Sequence, residues 1–161
     1  MKYKLSLLIL LFFIKANSQI TFTEIYHEYD IPDLIDEAIH GDLNGDGVDD
    51  FVTSSYIGGK LQIGINENLQ KPDFTTINEG ADIRFLTLHD IDQDNDLDII
   101  GSAVFDNLSY CWKNDNNGNF ISELLPINNY NSIHFADLDG DNITEMILGI
   151  DQKIKVLRQI P

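Results

Sequence analysis

The sequence predicts an all-β chain built from three four-stranded antiparallel units. Three acidic segments of nine residues recur along it: loop 1 (42–50, DLNGDGVDD), loop 2 (90–98, DIDQDNDLD) and loop 3 (137–145, DLDGDNITE). The first places of successive loops are 48 and 47 residues apart, and an interval of that size indicates one repeated structural unit. An apolar run follows each loop directly, as expected where a loop leads into a buried strand.

Each complete unit is predicted to contain a strand, the acidic loop, a strand, a turn, a strand, a connector and a last strand. The segment 34–40 has some helical propensity, but its place before loop 1 matches the Ile-, Phe- and Leu-rich segments before the other loops, which favours a strand. Polar and glycine-rich turns separate the strands. The predicted strands are 20–29, 34–40, 51–55, 61–66, 74–78, 83–89, 97–104, 108–113, 120–125, 132–135, 146–150 and 153–158.

Four short antiparallel strands in about 47 residues match one blade of a β-propeller. The strand at 20–29 stands alone before the first unit, and the third unit has three strands, so this strand would complete the third sheet. Closed propellers usually have roughly 4 to 8 blades. Three blades therefore predict an open or partial propeller, a pairing of two copies, or a piece of a longer gene product.

Residues 1–18 are predicted to be a secretory signal peptide. Two lysines precede the apolar run 5–14, and the small residues Ala16 and Ser18 occupy the −3 and −1 places of a cleavage site. A retained anchor is the alternative, but a bilayer crossing needs about 20 apolar residues. The repeat domain would then be 19–161, located in the periplasm, on the cell surface or outside the cell.

Composition narrows the classes of partner. The formal charge is −17, which disfavours binding to nucleic acid or to anionic lipid. Hydrophobic residues make up 43% of the chain, which argues against disorder. Cys111 is the single cysteine, so an intrachain disulfide is impossible, and we expect it to be a small buried apolar residue.

The three loops are predicted to bind a divalent cation, because carboxylates this close together repel one another without one. Calcium takes about 6 to 8 oxygen ligands, whereas magnesium prefers fewer protein ligands and zinc prefers His or Cys. Side chains at the first, third, fifth and ninth places, with the backbone carbonyl of the seventh, provide such a set. The alternative is three acidic turns without a metal. The predicted ligands are Asp42, Asn44, Asp46, Val48 and Asp50 in loop 1, Asp90, Asp92, Asp94, Asp96 and Asp98 in loop 2, and Asp137, Asp139, Asp141, Ile143 and Glu145 in loop 3.

The sixth place of each loop is expected to turn with a positive φ, since Gly or Asn stands there in all three loops. The helix-loop-helix calcium motif is excluded, because its twelfth-place Glu would fall on Thr53, Gly101 or Leu148, each inside an apolar strand.

No catalytic residue is predicted. His40, His89 and His134 precede the loops at three different offsets, so they cannot share one role. Trp112 is expected to be a core residue rather than a carbohydrate platform.

The loops resemble those of FG-GAP and VCBS repeats, the blades of integrin α-subunit propellers and of many exported bacterial proteins. Residues 110–120 (YCWKNDNNGNF) are similar to the stretch that follows the loop in bacterial members, and the resemblance spans about 34–160. It implies a propeller-type fold, calcium held by the side chains at the first, third, fifth and ninth places, and a binding or adhesion role. The Phe-Gly and Gly-Ala-Pro signatures are absent, and Glu145 replaces the usual Asp, which predicts a third site that binds more weakly or through a shifted backbone.

Three functional hypotheses follow. The first is a non-catalytic, calcium-stabilised module that binds a protein or a glycan. The second is a calcium-dependent polysaccharide lyase or hydrolase, for which Lys60, Lys71 and Arg84 are the few available cations. The third is a fragment that functions only with another chain, for instance in a homo-oligomer that completes a propeller. The motif itself supplies no general acid or base, so the first hypothesis is favoured.

Overall fold

The described part of the chain is entirely β-structure in the computed structural model. No helix there has the length and apolar character that a membrane crossing requires. The described residues are 34–55, 57–67, 72–78, 80–103, 105–116, 118–127 and 130–159. The strands are β1 (Glu37–Gly41), β2 (Asp50–Ser55), β3 (Lys60–Ile65), β4 (Asp73–Asn78), β5 (Ile83–His89), β6 (Asp98–Ala103), β7 (Leu108–Asn114), β8 (Phe120–Leu124), β9 (Ser132–Ala136), β10 (Glu145–Ile150) and β11 (Lys153–Arg158).

These strands form three antiparallel sheets. Sheet 1 has the order β1-β2-β3-β4, sheet 2 the order β5-β6-β7-β8, and sheet 3 the order β11-β10-β9. Strands that are consecutive in the chain are neighbours in each sheet, so every sheet is a simple meander. The predicted all-β class and the three antiparallel units are confirmed. The strand predicted at 20–29 lies outside the described residues.

Several strand boundaries differ from the predicted ones by about one to three residues. The first strand begins at Glu37, which pairs with Ser54, and the preceding Asp36 N still donates to Ser54 O at 2.9 Å. The second strand of every unit begins at the ninth-place acid, which is one residue before the predicted start in units 1 and 3 and one residue after it in unit 2. That acid belongs to the strand ladder as well as to the loop.

Sheet 2 lies between the other two sheets. Strand β5 contacts both β1 and β9, so the first strands of the three units are neighbours. Ile99 and Trp112 pack in the apolar cluster shared with sheet 1, whereas Ile100 and Cys111 pack in the cluster shared with sheet 3. Adjacent residues of a strand point to opposite faces, so both faces of sheet 2 are covered. This open stack of sheets is consistent with blades of a partial propeller.

The expected roles of two residues are confirmed by this packing. Trp112 is fully buried in the first cluster, stacked beside Tyr110 at a ring separation of 5.5 Å. Cys111 is fully buried in the second cluster, and burial raises the pKa of its thiol to about 12. A thiol with such a pKa stays protonated and behaves as a small apolar side chain.

Candidate cation-binding loops

Each acidic loop joins the first two strands of its sheet. The residues that bracket loop 1 are paired across the ladder as Gly41 with Asp50, and the other two loops are bracketed by equivalent pairs. The antiparallel ladder therefore holds the two ends of each loop together. Loops 1 and 2 also lie side by side, and a cavity of about 280 Å³ between them is lined by Asp42, Asp90 and Asn116, among others.

The backbone of all three loops turns in the same way. The predicted positive φ at the sixth place is confirmed, and the fourth place also has a positive φ, which sequence reasoning missed. Glycine at the fourth place of loops 1 and 3 was the available signal. The φ values are 73° for Gly45, 84° for Gly47, 64° for Gln93, 75° for Asn95, 81° for Gly140 and 67° for Asn142.

The first-place carboxylate organises the loop by accepting backbone N–H groups. Asp42 Oδ1 accepts from Gly45 N at 2.7 Å and from Asp46 N at 3.1 Å, and its Oδ2 accepts from Gly47 N at 2.8 Å. The first-place acids of loops 2 and 3 likewise accept the sixth-place N–H, together with the fifth-place N–H in loop 2 and the fourth-place N–H in loop 3, at 2.7–3.1 Å. In loop 3 the amides of Asn142 and Gly140 lower the pKa of Asp137, which favours the ionised form that a cation needs.

The ninth-place acid is buried and connects the loop to the third strand. Asp98 is 0% exposed; its Oδ2 accepts from Ile91 N at 2.9 Å and its Oδ1 accepts from Asn114 N at 2.9 Å. Asp50 makes the same pair of bonds in unit 1. Burial raises the pKa of both carboxyl groups. A carboxylate offers about four lone-pair sites, so these bonds leave capacity for a cation.

Carboxylate groups converge in two of the loops. Among the described residues, loops 2 and 3 each bring ligand oxygens of three acids within 4.8 Å of one another: Asp90, Asp92 and Asp94 in loop 2, and Asp137, Asp139 and Glu145 in loop 3. The donor set is all oxygen, which fits a hard divalent cation. In loop 1 the amide of Asn44 instead donates to Asp46 Oδ2 at 3.3 Å.

Loop 3 contains a positively charged group that sequence reasoning missed. Arg158 Nε donates to Glu145 Oε1 at 2.7 Å, and its Nη2 lies 2.9 Å from Asp139 Oδ2 and 2.9 Å from Asp141 Oδ2. The guanidinium therefore lies among the third-, fifth- and ninth-place acids. The signal in the sequence was a basic residue at the end of the third strand of the unit, where the strand pairs with the ninth place.

Residues 90–148 match the family model described as FG-GAP-like repeat. The chain carries an FG-GAP-like repeat. The matched segment runs from the first place of loop 2 into β10, so it includes loop 2, strands β6 to β9 and loop 3. No curated protein matches the chain. The family resemblance predicted from the loops is confirmed, and FG-GAP repeats are generally structural or binding modules.

The histidines near the three loops have separate environments. His40 Nδ1 lies 2.7 Å from Asp49 Oδ2, and both side chains are exposed. The ring of His89 stacks on Phe135 with centroids 3.9 Å apart, and burial lowers its pKa. His134 is exposed. The three side chains therefore have different surroundings. Of the cations considered for a lyase, Arg84 lies over the Phe105 ring and Lys71 is outside the described residues.

Asp96, at the seventh place of loop 2, has a pKa that is raised by its burial and by the neighbouring acids of the loop. Desolvation, followed by the hydrogen bond and charge of Asp94, raises the pKa of Asp96 to about 6. Its Oδ1 is buried and has no hydrogen-bond partner. Ionisation of this group therefore opposes folding when no cation is bound.

We expect the metal-free protein to lose stability as pH rises from about 4 to about 6, because unfolded Asp96 ionises near pH 3.8 and folded Asp96 near pH 6. Below that range both states are protonated, and above it the loss stays constant. Asp96→Asn should reduce the loss and keep the seventh-place backbone carbonyl. Melting temperatures of calcium-free protein between pH 4.5 and 7 measure this effect. Asp106→Asn, at an exposed turn, is the control, and equal losses in both variants would contradict the assignment.

Proposed function

We propose that the protein is an exported, non-catalytic repeat module whose acidic loops bind calcium and whose remaining surface binds a protein or a glycan. The observation that carries this proposal is the close approach of Asp90, Asp92 and Asp94 on a loop whose ends are paired across a strand ladder. Three carboxylates placed this close are stabilised by a shared divalent cation.

The location predicted from residues 1–18 supports calcium as the ion. Extracellular calcium modules bind with dissociation constants of roughly 10⁻⁴ to 10⁻³ M, which suffices where free calcium is millimolar. Asp92 and Asp94 are exposed, so an ion in solution can reach them. The acidic surface also supports a protein or glycan partner over nucleic acid.

The mechanical role proposed for calcium follows from the bonds that each loop makes. Asp90, Asp92 and Asp94 would hold the ion in loop 2, with the seventh-place carbonyl and Asp98 as the remaining predicted ligands. Calcium supplies positive charge that relieves repulsion among these acids. Asp98 also binds Asn114 N at the end of β7, so an ordered loop would keep the first three strands of the sheet in register.

We expect calcium to raise the melting temperature of the protein, and a chelator to reverse the rise at pH 7. Calcium at 100 times its dissociation constant contributes about 2.7 kcal/mol per site by mass action. Isothermal titration calorimetry on residues 19–161 measures uptake directly. Asp92→Asn should remove the uptake at loop 2 and leave the metal-free melting temperature nearly unchanged, because Asp92 is exposed.

Asp106→Asn is the matched control, since it removes the same charge from an exposed turn in the same sheet. Its calcium uptake should equal that of the unaltered protein. Absence of calcium uptake by the unaltered protein, with identical melting curves in calcium and in chelator, would refute the proposal.

A further inference from the structure

We infer that the guanidinium of Arg158 occupies the cation site of loop 3 in place of calcium, whereas loops 1 and 2 bind calcium. The inference rests on the proposed function for its statement about loops 1 and 2. It assigns to Arg158 a role in determining which loops of the repeat bind the metal.

The guanidinium occupies the acids that a cation in loop 3 would need. Its Nε and Nη2 atoms contact Glu145 Oε1 at 2.7 Å, Asp139 Oδ2 at 2.9 Å and Asp141 Oδ2 at 2.9 Å. These acids stand at the ninth, third and fifth places, three of the four side-chain places predicted for calcium. The planar fork of arginine donates to several carboxylates at once, and such charged hydrogen bonds are stronger than neutral ones.

The ninth-place residue of loop 3 is suited to this arrangement. Glu145 Oε2 accepts from Leu138 N at 3.0 Å, which matches the bond from the second place of each other loop to its ninth-place acid. Its Oε1 binds Arg158, whereas Asp98 uses its second oxygen for Asn114 N. The longer Glu keeps the first bond and reaches the guanidinium with the other oxygen. Glu at the ninth place of loop 3 therefore accompanies a cation supplied by an arginine side chain, whereas Asp at the ninth place of loops 1 and 2 accompanies a proposed calcium ion.

The residue opposite the ninth place differs among the three units. In unit 3 it is Arg158, which pairs with Glu145. In unit 2 it is Lys113, next to the Trp112 that pairs with Ile99. In unit 1 it is Ile65, next to the Gly64 that pairs with Phe51. Ile65 carries no charge, so loop 1 has no internal cation at this register.

Lys113 does not replace a metal in loop 2 in the way that Arg158 does in loop 3. Its Nζ lies 3.8 Å from Asp92 and nearer, at 3.3 Å, to Glu123 outside the loop. It therefore contacts one loop acid at the limit of an ion pair and leaves the other acids of loop 2 for an added ion.

Competition gives the expected result. Calcium and the guanidinium need the same oxygens, and Arg158 is tethered to the same sheet, so its effective concentration is high. We expect the affinity of loop 3 for calcium to be at least tenfold weaker than that of loop 2. Calorimetry on residues 19–161 should find two strong calcium equivalents in the unaltered protein and one more in Arg158→Gln.

Lys155→Gln is the matched control, because it removes one positive charge from the same strand at a residue exposed to solvent. It should leave the number of calcium equivalents unchanged. Should Arg158→Gln fold poorly, Asp139→Asn in the presence of Arg158 gives a second measurement. That substitution should not change calcium uptake, whereas Asp92→Asn should remove one equivalent.

The outcomes separate this inference from the proposed function. Three equivalents in the unaltered protein, one of them lost in Asp139→Asn, would overturn the role of Arg158 and leave the calcium module standing. Calcium uptake by Arg158→Gln but not by the unaltered protein would support the role of Arg158 and refute calcium binding by loops 1 and 2. No uptake by either protein would overturn both.

Discussion

Asp98→Ala is expected to destabilise the protein by about 2–4 kcal/mol, both with and without calcium, because it leaves one buried and one partly buried backbone N–H group without an acceptor. Ile91 N and Asn114 N both donate to this carboxylate at 2.9 Å, and the side chain is 0% exposed. Each orphaned donor costs about 1–3 kcal/mol. Relief of the desolvation that raises the pKa of Asp98 offsets part of this sum.

Urea denaturation in calcium-free buffer measures this loss. Asp98→Asn keeps one acceptor oxygen and should cost less than Asp98→Ala. Asp92→Ala is the control, since Asp92 is exposed in the same loop and should affect stability only when calcium is present. Equal losses for Asp98→Ala and Asp92→Ala in calcium-free buffer would show that the ninth-place acid has no structural role of its own.

Gly59→Ala is expected to cost about 2–5 kcal/mol, and Gly58→Ala only about 1–2 kcal/mol. Both glycines have a positive φ, 61° and 90°, so both variants carry the strain of an L-residue in that region. A Cβ on Gly59 would lie 2.4 Å from Ala81 N and 2.5 Å from Ala81 O, and backbone cannot move aside cheaply. A Cβ on Gly58 would meet Lys60 Cε at an ordinary 3.8 Å.

The difference in stability between the two variants reports on the contact between the β2–β3 turn and Ala81, in the segment that leads into sheet 2. Thermal and urea denaturation of both proteins under identical conditions measure that difference. If the two variants were equally stable, the close approach of the turn to Ala81 would contribute nothing.

Much of the fold could be predicted because the repeated loops align the three units. The apolar segment before loop 1 is ambiguous alone, but its equivalent 83–89 is clearly strand-like, and β5 has those bounds. The strand at 153–158 is also as predicted. Alternation and turn chemistry specify elements of this length well, since each strand pairs with its neighbour in the chain.

The site was less predictable, because its contacts come from other strands. The pattern of acids shows that Asp98 belongs to the loop, but not that the amide of Asn114, after the following hairpin, binds it. The contact of Arg158 with the loop likewise could not be predicted from the loop motif, since its place depends on the register of β10 with β11. Spacing along the chain predicted which residues form the loops, and register across the sheet determines what each acid contacts.

Sheet 2, the middle sheet, is buried on both faces, and each face contacts a different neighbouring sheet. The residue after the ninth-place acid packs toward the preceding sheet, as Ile99 does, and the one after that packs toward the following sheet, as Val52 and Ile100 do. The corresponding outer positions, Phe51 and Ile147, are only partly buried. Full burial of both side chains, as at Ile99 and Ile100, therefore marks a sheet that has a neighbour on each face.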